Sequence, residues 1–460
     1  MFSFQSSVFN LQGRAVVSLL LGVLLLSSCS LYRKYEAETS VPSDIMGDAL
    51  QPGDTVSLGA MGWRQLFTDP LLQELIERAL QNNTDLQQSL LTVQQAQNDV
   101  KSARLGWLPT LSLDPSGTLH RFNGEGTYSY NAPLTLNWQL GIFGQVTSQK
   151  RLAKVKRQQM DDYRQAVQAA LAANVANTYY ELVMLDRELQ ILQETQDVWE
   201  ESLEAMRVLF EAGLYMSPAV YQMEASLASV KSGIVDILET LHGTEAALCR
   251  LLCEPPHHIA RSPHGTFVMP AELHVGLPLH LLSARPDVRQ AARGMEIAYY
   301  ERQQALQAFF PDITISGSLG WSAAGGVVNP TSFLAEAVGT LLQPLFMQGK
   351  LRARYKNAKI EQEKARLVFV QTLLNAGNEV YQQLRICHKT EQKAAYLTSI
   401  VNSLHEAYLG TSELMKNGTN TYVEVLKAQE DLLTAQITEA QNHYEGIQAL
   451  INLYTALGGF

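Results

Sequence analysis

The sequence states one plan twice, and this duplication restricts the available folds more than composition does. "NNTDLQQSLLTVQQAQNDVKSARLGWLPTLSL" begins at Asn82, and "SARPDVRQAARGMEIAYYERQQALQAFFPDITIS" begins at Ser283. The interval from Asp85 to Pro109 equals that from Asp287 to Pro311. Each proline ends a helical pattern and opens an alternating one. "LGIFGQV" (Leu140–Val146) answers "PLFMQGKL" (Pro344–Leu351), and the run from Phe143 to Gly213 nearly matches that from Phe346 to Gly418. Each half therefore holds a helix, two strand-like segments, a very long helix, a glycine break and another long helix.

In the first long helix, apolar or small residues fall at Tyr163, Val167, Ala170, Thr178, Leu182, Leu185, Leu189, Leu192, Trp199, Leu203 and Met206, with Asn174 a polar exception. Tyr422, Val425, Leu432, Leu433, Ile437, Ala440, Tyr444, Ile447, Ile451 and Tyr454 repeat the pattern in the last. Both follow the three-and-four step of a coiled-coil-like seam. A helix of roughly 65 residues would be about 100 Å long, more than a compact domain needs. A cytoskeletal-style coiled coil is the plain alternative, but an exported N-terminus and paired strands argue against it. Leu111, Leu113, Leu134, Leu136, Trp138, Ile313, Ile315 and Leu319 take every second position in the strand segments. Gly-rich links suit hairpin loops. Such alternation fits lipid-facing strands around a polar lumen, although "TSFLAEAVGTLLQ" is also compatible with a helix.

Hydrophobic residues make up 46% of the 460, which excludes a disordered chain. A net charge of -10, without bunched basic residues, argues against nucleic acid as a partner. Four cysteines are too few for a disulfide scaffold. The apolar run Ala15–Leu26 after Arg14 has the length of a signal-peptide core. Leu26-Ser27-Ser28-Cys29 resembles a bacterial lipobox, which implies cleavage before Cys29 and lipidation of its sulfur. The alternative is an ordinary secretory signal with Cys29 incidental. Ser30 after the cysteine suggests, by analogy with sorting rules, export to the outer membrane. No other stretch approaches the ~20 apolar residues of a membrane helix, so a crossing has to use strands. Four strands cannot close a membrane barrel, and open edges cannot sit in lipid. Several chains must pool their strands.

"WRQLFTDPLLQELIERALQNNTDL", "SARLGWLPTLSL", "FEAGLYMSPAVYQMEA", "SARPDVRQAA", "PLFMQGKLRARYKNAK" and "GTNTYVEVLKAQEDLLTAQ" together resemble the TolC-like outer-membrane factors, specifically the efflux-pump lipoprotein branch. The resemblance covers nearly the whole mature chain. It implies a mixed α and β membrane protein: a homotrimer whose twelve-stranded β-barrel, four strands per chain, continues into a helical periplasmic tunnel. An equatorial belt would draw on segments around 30–62 and 253–282 and on the C-terminal tail. The implied organisation is a signal peptide (1–28), an anchored equatorial segment (29–62), a first repeat (63–255), an equatorial linker (256–282) and a second repeat (283–460). Hairpins fall at about 107–141 and 309–346. Helical reversals fall near 213–218 and 417–421.

The resemblance implies that these reversals are the periplasmic tip, serving as gate and as docking surface for a periplasmic adaptor protein that links to an inner-membrane pump. Gly213, Leu214, Ser217, Gly418 and Thr419 are the docking candidates. Glycine supplies the left-handed backbone that ends each arm. For the gate, Glu424 stands six residues beyond Gly418, where part of the family carries an acidic ring residue. Lys427 stands where a second Asp is usual; Ala219 and Gln222 are the first-half equivalents, and an acidic residue common there is missing. Asn420 replaces an Arg of some members and Met415 a usual Tyr, so the familiar links do not carry over. A Glu424–Lys427 pair within or between chains is the expectation, and an outward Lys427 beside a lone Glu424 ring is its alternative.

"CRLLCEPPHH" offers Cys249, Cys253, His257 and His258 as a rival zinc set, but Pro255 and Pro256 break the helix between the pairs. Cys249 as a small core residue is the plainer account, and a Cys249–Cys253 disulfide fits helix geometry poorly. Cys387 with His388 has no motif-marked partner. The histidines of "PHHIARSPHGTFVMPAELH" read as exposed loop, and the basic "KLRARYKNAK" as a solvated face or, from its family position, a neighbour of headgroup phosphates. No phosphate loop, nucleophile elbow or carboxylate pair is present, so neither an enzyme nor a cofactor is expected. A passive export duct for small molecules is the leading class. A protein-secretion duct, a structural coiled coil and a zinc-dependent lipoprotein are its rivals.

Overall fold

A computed structural model describes residues 33–36, 61–122, 125–213, 216–262, 285–324, 332–417 and 421–459. The expected signal peptide, Cys29, Leu214, Gly418, Thr419 and Asn420 lie outside these residues. In chain order the elements are α1 (Trp63–Leu66), α2 (Pro70–Asn82), α3 (Thr84–Leu105), β1 (Thr110–Leu113), β2 (Ser116–Phe122), β3 (Glu125–Gln139), α4 (Gln145–Glu211) and α5 (Ser217–Leu252). Then follow α6 (Pro286–Gln307), β4 (Asp312–Ala324), β5 (Ser332–Leu342), α7 (Lys350–Lys416) and α8 (Tyr422–Ala456). The duplication is metrical: α3 and α6 each have 22 residues, and α4 and α7 each have 67.

The helix boundaries follow local chemistry. Asp69 accepts from the Leu71 N–H at 2.9 Å, and Pro70 opens α2 where a missing N–H costs nothing. Asn83 then caps α3 by accepting from the N–H groups of Asp85 and Leu86. Cys253, in the left-handed conformation at φ 57°, ends α5 just before Pro255 and Pro256. No helix among the described residues is long and apolar enough to cross a membrane.

The chain divides into two compact units. One comprises Leu91–Asp161 and Gln290–Val370 with the N-terminal segment 33–36. It holds an antiparallel sheet of order β1-β3-β4-β5, with β2 also on β3. The pairs Leu113↔Leu134 and Ser116↔Asn131 keep one register, so β1 and β2 form a single run interrupted at Asp114-Pro115. Proline has no N–H to give the ladder. "SFLAEAVGTLL" is strand β5, paired with β4 from Asp312↔Leu342 to Ser322↔Ser332.

The other unit comprises residues 61–90, Asp162–Arg289 and Gln371 onward. Its seam buries Leu182, Leu185, Leu192, Trp199, Leu203 and Met206 of α4, whereas Tyr163 and Asn174 are exposed.

Candidate functional site

Described helix ends flank both helical reversals. Gly213 adopts φ +74°, and its N–H donates to the Phe210 carbonyl at 2.9 Å. Nothing lies within 4 Å of where a Cβ would stand, so backbone conformation alone selects glycine here. Met216 precedes α5, and Ser217 and Pro218 open it. In the second reversal Thr421 precedes α8, and the Glu424 N–H donates to its carbonyl at 3.1 Å. Gln222, Glu424 and Lys427 are all exposed.

The expected Glu424–Lys427 pair does not form within the chain. Lys427 Nζ donates to Asp431 Oδ1 at 2.7 Å, which raises the ammonium pKa. The i+4 neighbour lies about 40° round the helix, against about 60° for i−3. Glu424 has no ion-pair partner among the described residues, and its carboxylate sits in the first turn of α8, where the helix dipole favours it.

Beneath the two reversals lies one hydrophobic core that joins all four helix ends. Leu192, Trp199, Leu203 and Met206 of α4 meet Val220, Met223, Leu227 and Val230 of α5, together with Tyr422 and Leu426 of α8. Met415 of α7 packs against the same cluster. The Tyr422 hydroxyl donates to Met223 Sδ at 2.6 Å, and burial pushes its pKa upward. Polar clasps flank this core. Arg207 meets Glu224 and Lys231 meets Glu200, both at 2.7 Å; Ser226 reaches Glu430 at 3.4 Å. Tyr422 was recognisable as an apolar seam position, but no local signal marks Met223 as its partner.

The sheet separates its chemistry by face. Antiparallel partners share a face, so the registers place Leu111, Leu113, Leu134, Leu136 and Trp138 with Ile313, Ile315, Leu319, Trp321 and Leu341. Thr110, Ser112, Thr135, Asn137 and Gln139 lie opposite, with Thr314, Ser316, Ser318, Glu336 and Thr340. The polar face bonds to itself: Thr135 to Asp114 at 2.8 Å and Gln139 to Asp312 at 2.7 Å. Leu111, Leu113, Leu319, Trp321 and Leu341 are largely exposed in the single chain.

The sequence profile of the outer membrane efflux protein family matches residues 75–254 and 277–459. The chain belongs to the outer membrane efflux protein family. The antibiotic efflux pump outer membrane protein ArpC of Pseudomonas putida is 27% identical, over 97% of this chain and 96% of its own. The probable outer membrane lipoprotein SilC of Salmonella typhimurium is 26% identical, over 86% of this chain and 88% of its own. The open-state crystal structure of the MtrE outer membrane channel of Neisseria gonorrhoeae superposes with a TM-score of 0.82, covering 93% of this chain and 97% of that one at 23% identity. The fold is thus that of the TolC-like channels, a helical barrel with a β domain. The chain works in the outer membrane as the channel component of an efflux system.

In this outer membrane efflux protein, charged networks secure the segments around residues 61–69 and 253–262. Tyr179 donates to Asp69 Oδ2 at 2.6 Å, and burial together with that carboxylate pushes its pKa up to about 12. The Arg261 guanidinium is 7% exposed and grips both Asp186 and Glu245. Glu245 also accepts from the Ile259 N–H and faces His258 at 2.8 Å; despite burial its pKa is lowered, by Arg261 above all. Cys249 Sγ lies 3.5 Å from His257 Nδ1, whereas Cys253 Sγ turns toward Thr84. Cys249, Cys253 and Cys387 are free thiols. No cluster of three or more His, Cys, Asp and Glu side chains converges as a metal set among the described residues.

Proposed function

We propose that three copies of this chain pool their strand runs into one membrane barrel and their long helices into a periplasmic duct. The duct passes small molecules, antibiotics among them, that an inner-membrane pump delivers through a periplasmic adaptor. The two-faced sheet carries this reading. Its apolar face is left uncovered by the single chain, and its polar face is self-bonded, as a wall between lipid and water requires. The sheet cannot stand in lipid with open edges, which is the reason for pooling. The proposed trimer is tested by native mass spectrometry and single-channel recording of the purified protein. Monomers without conductance would overturn it.

Lipidation at Cys29 anchors the mature chain in this reading, as the name of SilC suggests for that relative. Mass spectrometry of the mature N-terminus tests it; an unmodified N-terminus at another residue refutes it. The tips, with Gly213, Leu214, Ser217, Gly418 and Thr419, receive the adaptor. Three Glu424 carboxylates form an acidic ring at the gate, near Asn420 and Gln222, while Lys427 is engaged with Asp431 on its own helix. Glu424→Ala is expected to reduce cation preference in bilayers, and Lys427→Ala to leave closed-state conductance unchanged. The opposite pattern returns Lys427 to the gate.

A further inference from the structure

Basic residues that are scattered along the sequence converge on one cleft. It has a volume of about 1030 Å³ and lies between segment 33–36, α6 and the start of α7. Arg33, Lys34, Arg302, Lys356, Lys359 and Arg366 line it, against only Glu36 and Glu363. In a chain of net charge -10 this is a local reversal of sign. The two carboxylates are already engaged: Glu36 faces Arg33 at 3.8 Å and Glu363 holds Arg366 at 2.7 Å. Lys34, Arg302, Lys356 and Lys359 have no carboxylate partner among the described residues. Helix α7 reaches the cleft after Lys350, Arg352 and Arg354, and its first turn contains no acidic residue. Four cations gathered without a carboxylate between them repel one another, so the arrangement gains from an anion supplied from outside the chain.

The cleft also has apolar walls, from Leu306, Ile360 and Phe369. The N-terminal segment is pinned to its rim: Tyr35 and Tyr299 rings meet at 5.5 Å, and the Tyr299 hydroxyl donates to the Arg33 carbonyl at 3.3 Å. Arg33 is four residues after Cys29, at most about 14 Å of extended chain. Acyl chains on Cys29 would therefore enter the bilayer close to the cleft.

We propose that this cleft binds the phosphate headgroup of an anionic phospholipid from the leaflet that takes the Cys29 acyl chains. Lys34, Arg302, Lys356 and Lys359 meet the phosphate, and the apolar walls meet the upper acyl chain. The inference rests on the membrane insertion and anchoring proposed above.

The test uses the full-length acylated protein, purified in detergent and offered equal amounts of phosphatidylglycerol and phosphatidylethanolamine. Native mass spectrometry counts the lipid retained. Phosphatidylglycerol is expected to exceed phosphatidylethanolamine by about tenfold. The variant Arg302→Gln/Lys356→Gln/Lys359→Gln should lose that preference, whereas Lys356→Arg/Lys359→Arg should keep it. Removing as much charge elsewhere, by Arg187→Gln/Arg385→Gln/Lys393→Gln, should also keep it. Equal retention of both lipids by the native protein overturns the proposal, as does an equal loss in the remote variant. A triple variant that alters only the oligomer mass makes the cleft an interface between copies, which also overturns it. Acylation mass and flotation with vesicles are read separately. Protein that is acylated and floats without lipid preference refutes the cleft alone; protein that does neither refutes the anchored membrane reading and the cleft together.

Discussion

Replacing Tyr422 by alanine probes how the two helical reversals are held together. The side chain is 4% exposed and sits between α5 and α8 on Met223, which is wholly buried. Truncating a buried aromatic costs about 3–5 kcal/mol, from lost transfer energy and the cavity left behind. Tyr422→Phe removes only the hydroxyl. Its acceptor is a thioether sulfur, a weak partner, so the loss should stay within about 1 kcal/mol. Hydrogen exchange resolves this locally. Amides in the first turns of α5 and α8 should exchange roughly two orders of magnitude faster or more in Tyr422→Ala, and within about tenfold of native in Tyr422→Phe. The Lys389–Glu445 region farther along α7 and α8 serves as an internal control and should change little. Resting conductance in bilayers should rise in the alanine variant alone. Unchanged exchange at both reversals in Tyr422→Ala would refute the idea that this core couples them, and so would a phenylalanine variant as perturbed as the alanine one.

A Cβ on Gly320 would lie 2.6 Å from the Pro133 Cα and 2.7 Å from the Ala132 carbonyl, so Gly320→Val should wedge β3 from β4 and abolish outer-membrane assembly, read by fractionation. Arg261→Ala leaves Glu245 buried without its cation and Asp186 without its clasp, and should cost about 3–5 kcal/mol in denaturant unfolding. Burial raises the Glu188 pKa above its ordinary 4.5, against a smaller lowering by Gln441. The folded state then holds the extra proton between 4.5 and the raised value, and stability falls as pH climbs through that window. Glu188→Gln should therefore stabilise the protein at pH ~8 and lose that advantage near pH ~4, where both states are protonated. Gly213→Val should cost about 1–2 kcal/mol through its positive φ and impair efflux, with Gly213→Asn milder because asparagine tolerates that conformation.

The repeated plan of elements and the chemistry of their faces are legible in the sequence. Equal intervals from Asp85 to Pro109 and from Asp287 to Pro311 correspond to helices α3 and α6 of equal length. Alternation at Leu111, Leu113, Leu134, Leu136 and Trp138 marked the face these residues share. Both signals are local, because helical and strand periods are written within a few residues of each other. Tertiary structure alone decided who meets whom. "TSFLAEAVGTLL" suits helix or strand by propensity, and the ladder to β4 settles it, since strand pairing there satisfies backbone groups and aligns its side chains with the sheet's faces. Lys427 has carboxylates on both sides of it along α8, and side-chain geometry selects Asp431 over Glu424. Tyr422 finds Met223 from 199 residues away, and Lys34 comes to share a cleft with Arg302 and Lys359. Such meetings depend on the burial of many side chains at once, and no stretch of the chain encodes them alone.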